Sequence, residues 1–339
     1  MMRFGLGVPT GTEGLMYTVP YADIDQAVEL ARAAERLGFE SVWGNDHVTT
    51  QRYVRADFDQ PPRYYDVFAY LSYVAAVTTS IRLGTAIMVL PFRHPVVAAK
   101  QAATLDQLSH GRAVLGVGIG AYREEFEAMH PGTHLHRGQH AEEAISALRQ
   151  LFTERSASYH GKWVAFEDVE SYPKPFRGHL PLLSGGNSAG SRSRAARLAD
   201  GWLPACLSVG EVRSGARLIR DEAEQHGRQL PGDFEIALQV GVSVAPTREQ
   251  ARRRFESSQI FRHLLSLSKT TLKDQGVDDL FSRNLVGTPQ DVAEQVEAYR
   301  EAGVTTMAAL LFAADSVEET IDAMAQFSQE VIAPDGVSS

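Results

Sequence analysis

Short apolar runs alternate with capped amphipathic segments along almost the whole of this 339-residue chain, and that alternation leaves few folds open. Residues 3–8 read as a strand, closed by Pro9, Gly11 and Gly14. Ile24, Ala27, Val28, Ala31, Ala34 and Leu37 then fall at helical spacing, with Asp23 and Gln26 as a capping box and Gly38 as the stop. The same reading gives strands at 40–44, 81–90, 112–118, 180–184, 201–204, 234–245 and 305–312. Helices fall between them: Pro95 opens one, Thr247 and Gln250 cap another, and Thr288, Pro289 and Asp291 combine cap, first-turn proline and acid in a third. Ser316 and Glu319 cap the last.

Eight strands separated by helices predict a parallel sheet covered on its outer side. In this length they fit a closed (β/α)8 TIM barrel, an α/β fold, with a doubly wound open sheet as the alternative. No Pro/Gly/Ser-rich linker divides the chain, so residues 1–339 are expected to form a single domain. Insertions are expected after strands four and seven. Residues 156–169 look like a small hairpin turning at His160-Gly161, and 257–284 look like a lid over the barrel mouth.

Composition narrows the function classes. A formal net charge of -9 does not indicate a nucleic-acid surface. One cysteine, Cys206, excludes an intrachain disulfide and a Cys-rich zinc site. No apolar stretch approaches the roughly 18 residues needed to cross a bilayer, and the N-terminus reads as a strand rather than a signal peptide. A cytoplasmic protein acting on a small molecule is the expectation.

In a barrel, chemistry sits at the C-terminal ends of the strands. Strand two ends in Asn45-Asp46-His47, where His47 is a candidate acid or base held by Asp46 or another neighbour. Strand three ends beyond Met88. Strand four ends in Gly116, Gly118 and Gly120, a poor match to a dinucleotide loop but suited to close approach by a flat ligand. Strand five leads through Ser184, Gly185, Gly186, Asn187 and Ser188 into a helix, whose free N–H groups favour a phosphate, with Arg192 and Arg194 adding charge. His130, His134, His136 and His140 form a histidine-rich stretch that would suit a metal hydrolase, but it lies off the strand ends and lacks matching carboxylates. Metal binding is therefore not expected. Tyr64, Tyr65, Tyr70 and Tyr73 read as helix packing, and Glu124-Glu125 as a solvated helix start.

Four segments resemble the luciferase-like oxidoreductase family. They are residues 33–43, residues 83–91 with Arg93-His94-Pro95, residues 105–118, and Tyr172-Pro173-Lys174-Pro175 leading to Gly185-Gly186-Asn187. The resemblance implies a TIM barrel that uses reduced FMN or the deazaflavin F420. It implies His47 as the active-site histidine, preceded by the acid Asp46. It further implies a non-proline cis bond at Ala86-Ile87 beneath the cofactor ring, with Ala86, Ile87, Met88, Gly118, Gly120, Ser184, Gly185, Gly186 and Asn187 around the cofactor.

Gly118 and Ile119 stand where bacterial luciferase has cysteine and arginine, which argues against light emission. Gly116-Val117-Gly118-Ile119-Gly120, followed by Tyr122-Arg123-Glu124-Glu125-Phe126, is more similar to the F420 subgroup. The expected activity is F420-dependent hydride transfer to or from a small organic substrate. A reduced-FMN monooxygenase is the alternative, and a metal hydrolase or a non-catalytic flavin binder are remoter ones. A homodimer and a separate reductase supplying reduced cofactor are further expectations from the resemblance.

Overall fold

The structure is a computed structural model that describes residues 2–267 and 277–333. The first half runs β1 (Arg3–Gly7), α1 (Ile24–Arg36), β2 (Ser41–Gly44), α2 (Arg52–Asp57), α3 (Val67–Val77), β3 (Arg82–Val89), α4 (Pro95–Leu108) and β4 (Ala113–Gly118). Next come α5 (Arg123–Met129), α6 (Arg137–Thr153) and the antiparallel pair β5 (Ala157–His160) and β6 (Ala165–Val169). Then follow β7 (Leu182–Gly185), α7 (Ala189–Leu198), β8 (Gly201–Leu203), α8 (Val209–Gln225) and β9 (Glu235–Val244). The chain continues through α9 (Arg248–Ser257), α10 (Gln259–Leu267), α11 (Val277–Ser282), β10 (Leu285–Gly287), α12 (Pro289–Glu301), β11 (Thr306–Phe312) and α13 (Val317–Phe327).

Eight parallel strands close a ring in the order β1, β2, β3, β4, β7, β8, β9, β11. Closure is made by Gly201 and Trp202 of β8 against Glu235 and Ile236 of β9, and by Arg3 and Phe4 of β1 against Thr306 and Met307 of β11. This is the TIM barrel expected from the sequence. The strands are apolar runs without polar alternation because both faces are covered: β2, β4 and β7 are buried throughout. Trp43, Val114, Leu183, Leu203, Ala237 and Ala308 pack inside the ring, while a larger cluster joins its outer face to the helices. At the N-terminal end the buried Glu235 carboxylate takes both guanidinium arms of Arg82 (3.2 and 3.0 Å), with Arg3 at 3.1 Å and the Thr306 hydroxyl at 2.6 Å. That end is thus closed by a charge network, which leaves the opposite end for ligands.

Several local expectations change. Asp23 and Thr288 form the full capping boxes read from the sequence. Thr247 accepts from the Gln250 N–H, but the reciprocal bond is absent. Glu319 turns to the Asp315 N–H instead of the Ser316 N–H. The hairpin turns over residues 161–164 rather than at His160-Gly161, because the Glu143 carboxylate accepts from three successive N–H groups, of Lys162, Trp163 and Val164. Within 257–284 the described residues form α10 and α11, and the buried Asn284 ties them to the barrel by accepting from the Gly241 N–H at 2.7 Å. β10, which the sequence reading missed, adds a short parallel strand to β9 outside the ring. The expected lid falls partly on residues 268–276, outside the described residues. Among the described residues no helix is long and apolar enough to cross a membrane.

Candidate active site

The C-terminal end of β2 carries the chain into a loop that two side chains fix. Asn45 accepts from the Thr10 hydroxyl and the Gly11 N–H, both at 2.9 Å, and so ties this loop to the segment after β1. Asp46, buried, accepts both guanidinium arms of Arg93 at 2.6 and 2.9 Å and the Val89 N–H at 2.9 Å, joining the ends of β2 and β3. Asp46 therefore does not hold His47, as the sequence reading allowed; its carboxylate is committed to Arg93.

His47 is held by Glu125 instead. Its Nδ1 lies 2.9 Å from Glu125 Oε1, which also accepts from the Val48 N–H at 3.1 Å. Glu125 is 1% exposed, so the expectation of a solvated helix start is overturned. Its place in the first turn of α5 turns it inward, while Glu124 beside it accepts from the Arg52 N–H. An ionised carboxylate only accepts, so Nδ1 carries the proton and the neutral ring presents a lone pair at Nε2. Nε2 makes no hydrogen bond among the described residues and is not sealed from solvent.

Aromatic side chains surround the ring. Tyr64 and Tyr122 lie 5.6 and 5.7 Å from it, centroid to centroid. The Tyr64 hydroxyl donates to Gln51, and the Tyr53 hydroxyl meets His263 Nδ1 of α10 at 3.0 Å. Burial pushes the phenols of Tyr53, Tyr64 and Tyr122 upward, so all three are neutral hydrogen-bonding groups. Burial lowers His263 to about 4. Tyr64 precedes α3 and faces the site, contrary to its reading as helix packing; Tyr70 is the buried packing residue, and Tyr73 is exposed. Cys206 is buried and its thiol is pushed up to about 12, which removes it as a nucleophile at neutral pH.

Across the mouth, the Ala86-Ile87 peptide is cis and coincides with a register shift between Thr85 and Met88 against β4. Ala86 and Ile87 are the half-buried residues in the second half of β3. A β-carbon at Gly118 would stand 2.2 Å from Ile87 Cδ1, and one at Gly185 2.6 Å from Ile87 Cγ2. The room at these two glycines is thus taken by Ile87. The left-handed Gly120 lies over Phe126 and Val89. Two expected cofactor contacts face elsewhere: Met88 is fully buried in the cluster under the helices, and the Ser184 hydroxyl braces α7 through the Ser191 carbonyl at 2.8 Å.

The loop after β7 leads directly into the amino end of α7. Gly186 has φ +111°, which lets the chain turn sharply into α7. Asn187 pins the loop to Ala205 with two hydrogen bonds, and Ser188 caps α7 through the Ser191 N–H. Of the first-turn N–H groups of α7, that of Ser191 is taken by Ser188, while those of Ala189 and Gly190 have no partner among the described residues. These groups, with the half-buried shelf at Ala86 and Ile87, fit a flat cofactor carrying a phosphate.

The histidine-rich stretch is dispersed. His130 Nε2 bonds the Pro91 carbonyl at 2.6 Å, His136 caps α6, and His140 is buried. Among the described residues no three His, Cys, Asp or Glu side chains converge as a metal site would require.

The profile of the luciferase-like monooxygenase family matches residues 2–306. This chain belongs to that family. Among its luciferase-like relatives is an FMNH2-dependent dimethylsulfone monooxygenase of Pseudomonas putida, 29% identical over 332 residues, covering 89% of this chain and 88% of the relative. Another is an F420-dependent glucose-6-phosphate dehydrogenase of Kineococcus radiotolerans, 28% identical over 318 residues, with 90% and 91% covered. The crystal structure of a monooxygenase from Streptomyces bottropensis superposes with a TM-score of 0.78 over 98% of this chain and 99% of its own, at 24% identity. This luciferase-like chain is therefore an oxidoreductase, in a family whose members use either a flavin or a deazaflavin.

Of the site's parts, the sequence pointed to His47 and to the loop after β7. It missed Glu125, Gln51, Tyr53 and His263, which come from three separate segments. Glu125 alone left a signal, as an acid in a segment similar to the F420 subgroup.

Proposed function

We propose that this luciferase-like enzyme is an F420-dependent oxidoreductase that moves a hydride between the deazaflavin and a small organic substrate. One observation carries the reading. The segment more similar to the F420 subgroup is the same segment that delivers Glu125 and Tyr122 to His47. A bound deazaflavin supplies the hydride donor or acceptor. Hydride transfer to or from a carbon bearing oxygen or nitrogen needs a proton moved at that heteroatom. His47 Nε2 takes that proton when the substrate is oxidised and returns it when the substrate is reduced. Glu125 fixes the ring's orientation and favours the imidazolium that forms. Tyr64 and Tyr122 wall the ring as neutral phenols. The amino end of α7, set by the turn at Gly186 and by Asn187 pinning the loop to Ala205, would hold the cofactor phosphate.

Titration of the purified protein with oxidised and reduced F420 and FMN, followed by anaerobic single-turnover spectroscopy, tests the reading. F420 should bind and exchange hydride without oxygen. Tight FMN binding with oxygen consumption and no F420 turnover would replace it with the monooxygenase reading. His47→Asn should lower the transfer rate by about 10²–10⁴-fold and leave cofactor affinity nearly unchanged.

A further inference from the structure

α6 and α7 both begin on the barrel face that carries His47, and an arginine lies between their first turns. Arg194 stands four residues after Gly190 on α7, so its side chain runs back along the helix toward the amino end. A β-carbon built on Gly190 would stand 3.4 Å from Arg194 Nη1, and one on Gly138 of α6 would stand 3.9 Å from the same nitrogen. Each helix thus has glycine at its second position, and a β-carbon at either would stand at ordinary contact distance from the guanidinium.

Arg194 is only 4% exposed, yet its guanidinium has no hydrogen bond or ion pair among the described residues. Glu142, the acid whose charge acts on Arg194, is bonded to Arg197 at 3.2 Å, and Arg197 also meets Glu222. Desolvation lowers the Arg194 pKa, with Glu142 opposing it. None of its nitrogens is sealed from solvent, so the largely buried guanidinium reaches an opening where a ligand can supply its counter-charge. Two helix amino ends add partial positive charge and free N–H groups at the same point. The ring of His136, which caps α6, lies 3.9 Å from where a β-carbon on Gly138 would stand, and it completes the wall.

We infer that Arg194, set between the amino ends of α6 and α7, is the counter-ion for the phosphate group of a bound flavin-type cofactor. The inference rests on the reading of this face as a cofactor site, but not on the choice between F420 and FMN. Arg192 does not serve in its place, because its Nη1 is bonded to the Asn187 carbonyl at 2.6 Å.

The test compares wild type, Arg194→Met and Arg194→Lys by calorimetric titration with F420, its phosphate-free deazaflavin riboside, FMN and riboflavin. Arg194→Met should weaken whichever phosphate-bearing cofactor the wild type binds by roughly 10–100-fold, the range for a charge-assisted hydrogen bond. The phosphate-free partner should change little, and lysine should restore part of the loss. Without ligand or phosphate, Arg194→Met should melt at or above the wild type, and inorganic phosphate should raise the wild-type melting temperature more than the variant's. Equal weakening of both forms, no weakening of either, or a variant that melts well below wild type would overturn the inference. Binding of FMN in place of F420 would count against the deazaflavin reading alone, since the phosphate difference could still be measured.

Discussion

His47 Nδ1 and Glu125 Oε1 stand 2.9 Å apart, 78 residues apart in sequence, with the carboxylate almost wholly buried. The contact orients the imidazole and leaves Nε2 without a partner among the described residues. It also makes α5 part of the site rather than an appendage of the barrel.

Glu125→Gln tests that contact. The amide can present its NH2 to Nδ1 and so favour the opposite tautomer, with the proton on Nε2. Hydride transfer should fall by about 10²-fold, the low end of the range for losing an acid or base. Single-turnover rates would show the fall; a normal rate would count against the dyad.

Asp46 has a different expected outcome. Its carboxylate joins Arg93 and the Val89 N–H, with little of either side chain in contact with solvent. Asp46→Ala leaves a largely buried guanidinium without its partner and should destabilise the fold by about 3 kcal/mol. Activity per folded molecule should fall much less than for His47→Asn. Urea unfolding alongside active-site titration would separate the two.

Gly186→Ala isolates a backbone effect. At φ +111° an L side chain is strained, yet a β-carbon there meets nothing closer than 3.6 Å. The cost should be about 1–3 kcal/mol from conformation alone. Equilibrium unfolding gives the number, and a loss below about 0.5 kcal/mol would mean that the loop relaxes freely.

His263 predicts an acid limb in stability. Burial lowers its folded pKa to about 4 from an ordinary value of 6.5. Between these values the unfolded chain binds the additional proton, so stability falls as pH drops from about 6.5 toward 4. His263→Gln should melt with a shallower dependence on pH across that window. Thermal scans of both proteins from pH 7.5 to 4.5 would reveal it; parallel curves would show that His263 does not contribute.

The alternation of apolar runs and capped helices determined the barrel, because each strand–helix unit carries its own period, cap and stop. Asp23 with Gln26 and Thr288 with Asp291 could be read locally because their partners are three residues apart. The family segments pointed to His47 and Gly186 for a related reason: both lie directly after strands, where a barrel exposes its chemistry. The partners of those residues were decided only by tertiary structure. The sequence offered Asp46 or another neighbour for His47 and read Glu125 as solvated; Arg93 reaching Asp46 from beyond β3, and α5 turning Glu125 inward, decided otherwise. Ile87 filling the room at Gly118 and Gly185 required three strands to be set side by side. β10 was too short to announce itself and exists because β9 offers it an edge. Sequence spacing specifies what lies within a turn or a strand; which charges meet across the barrel mouth depends on ring closure, which no local pattern records.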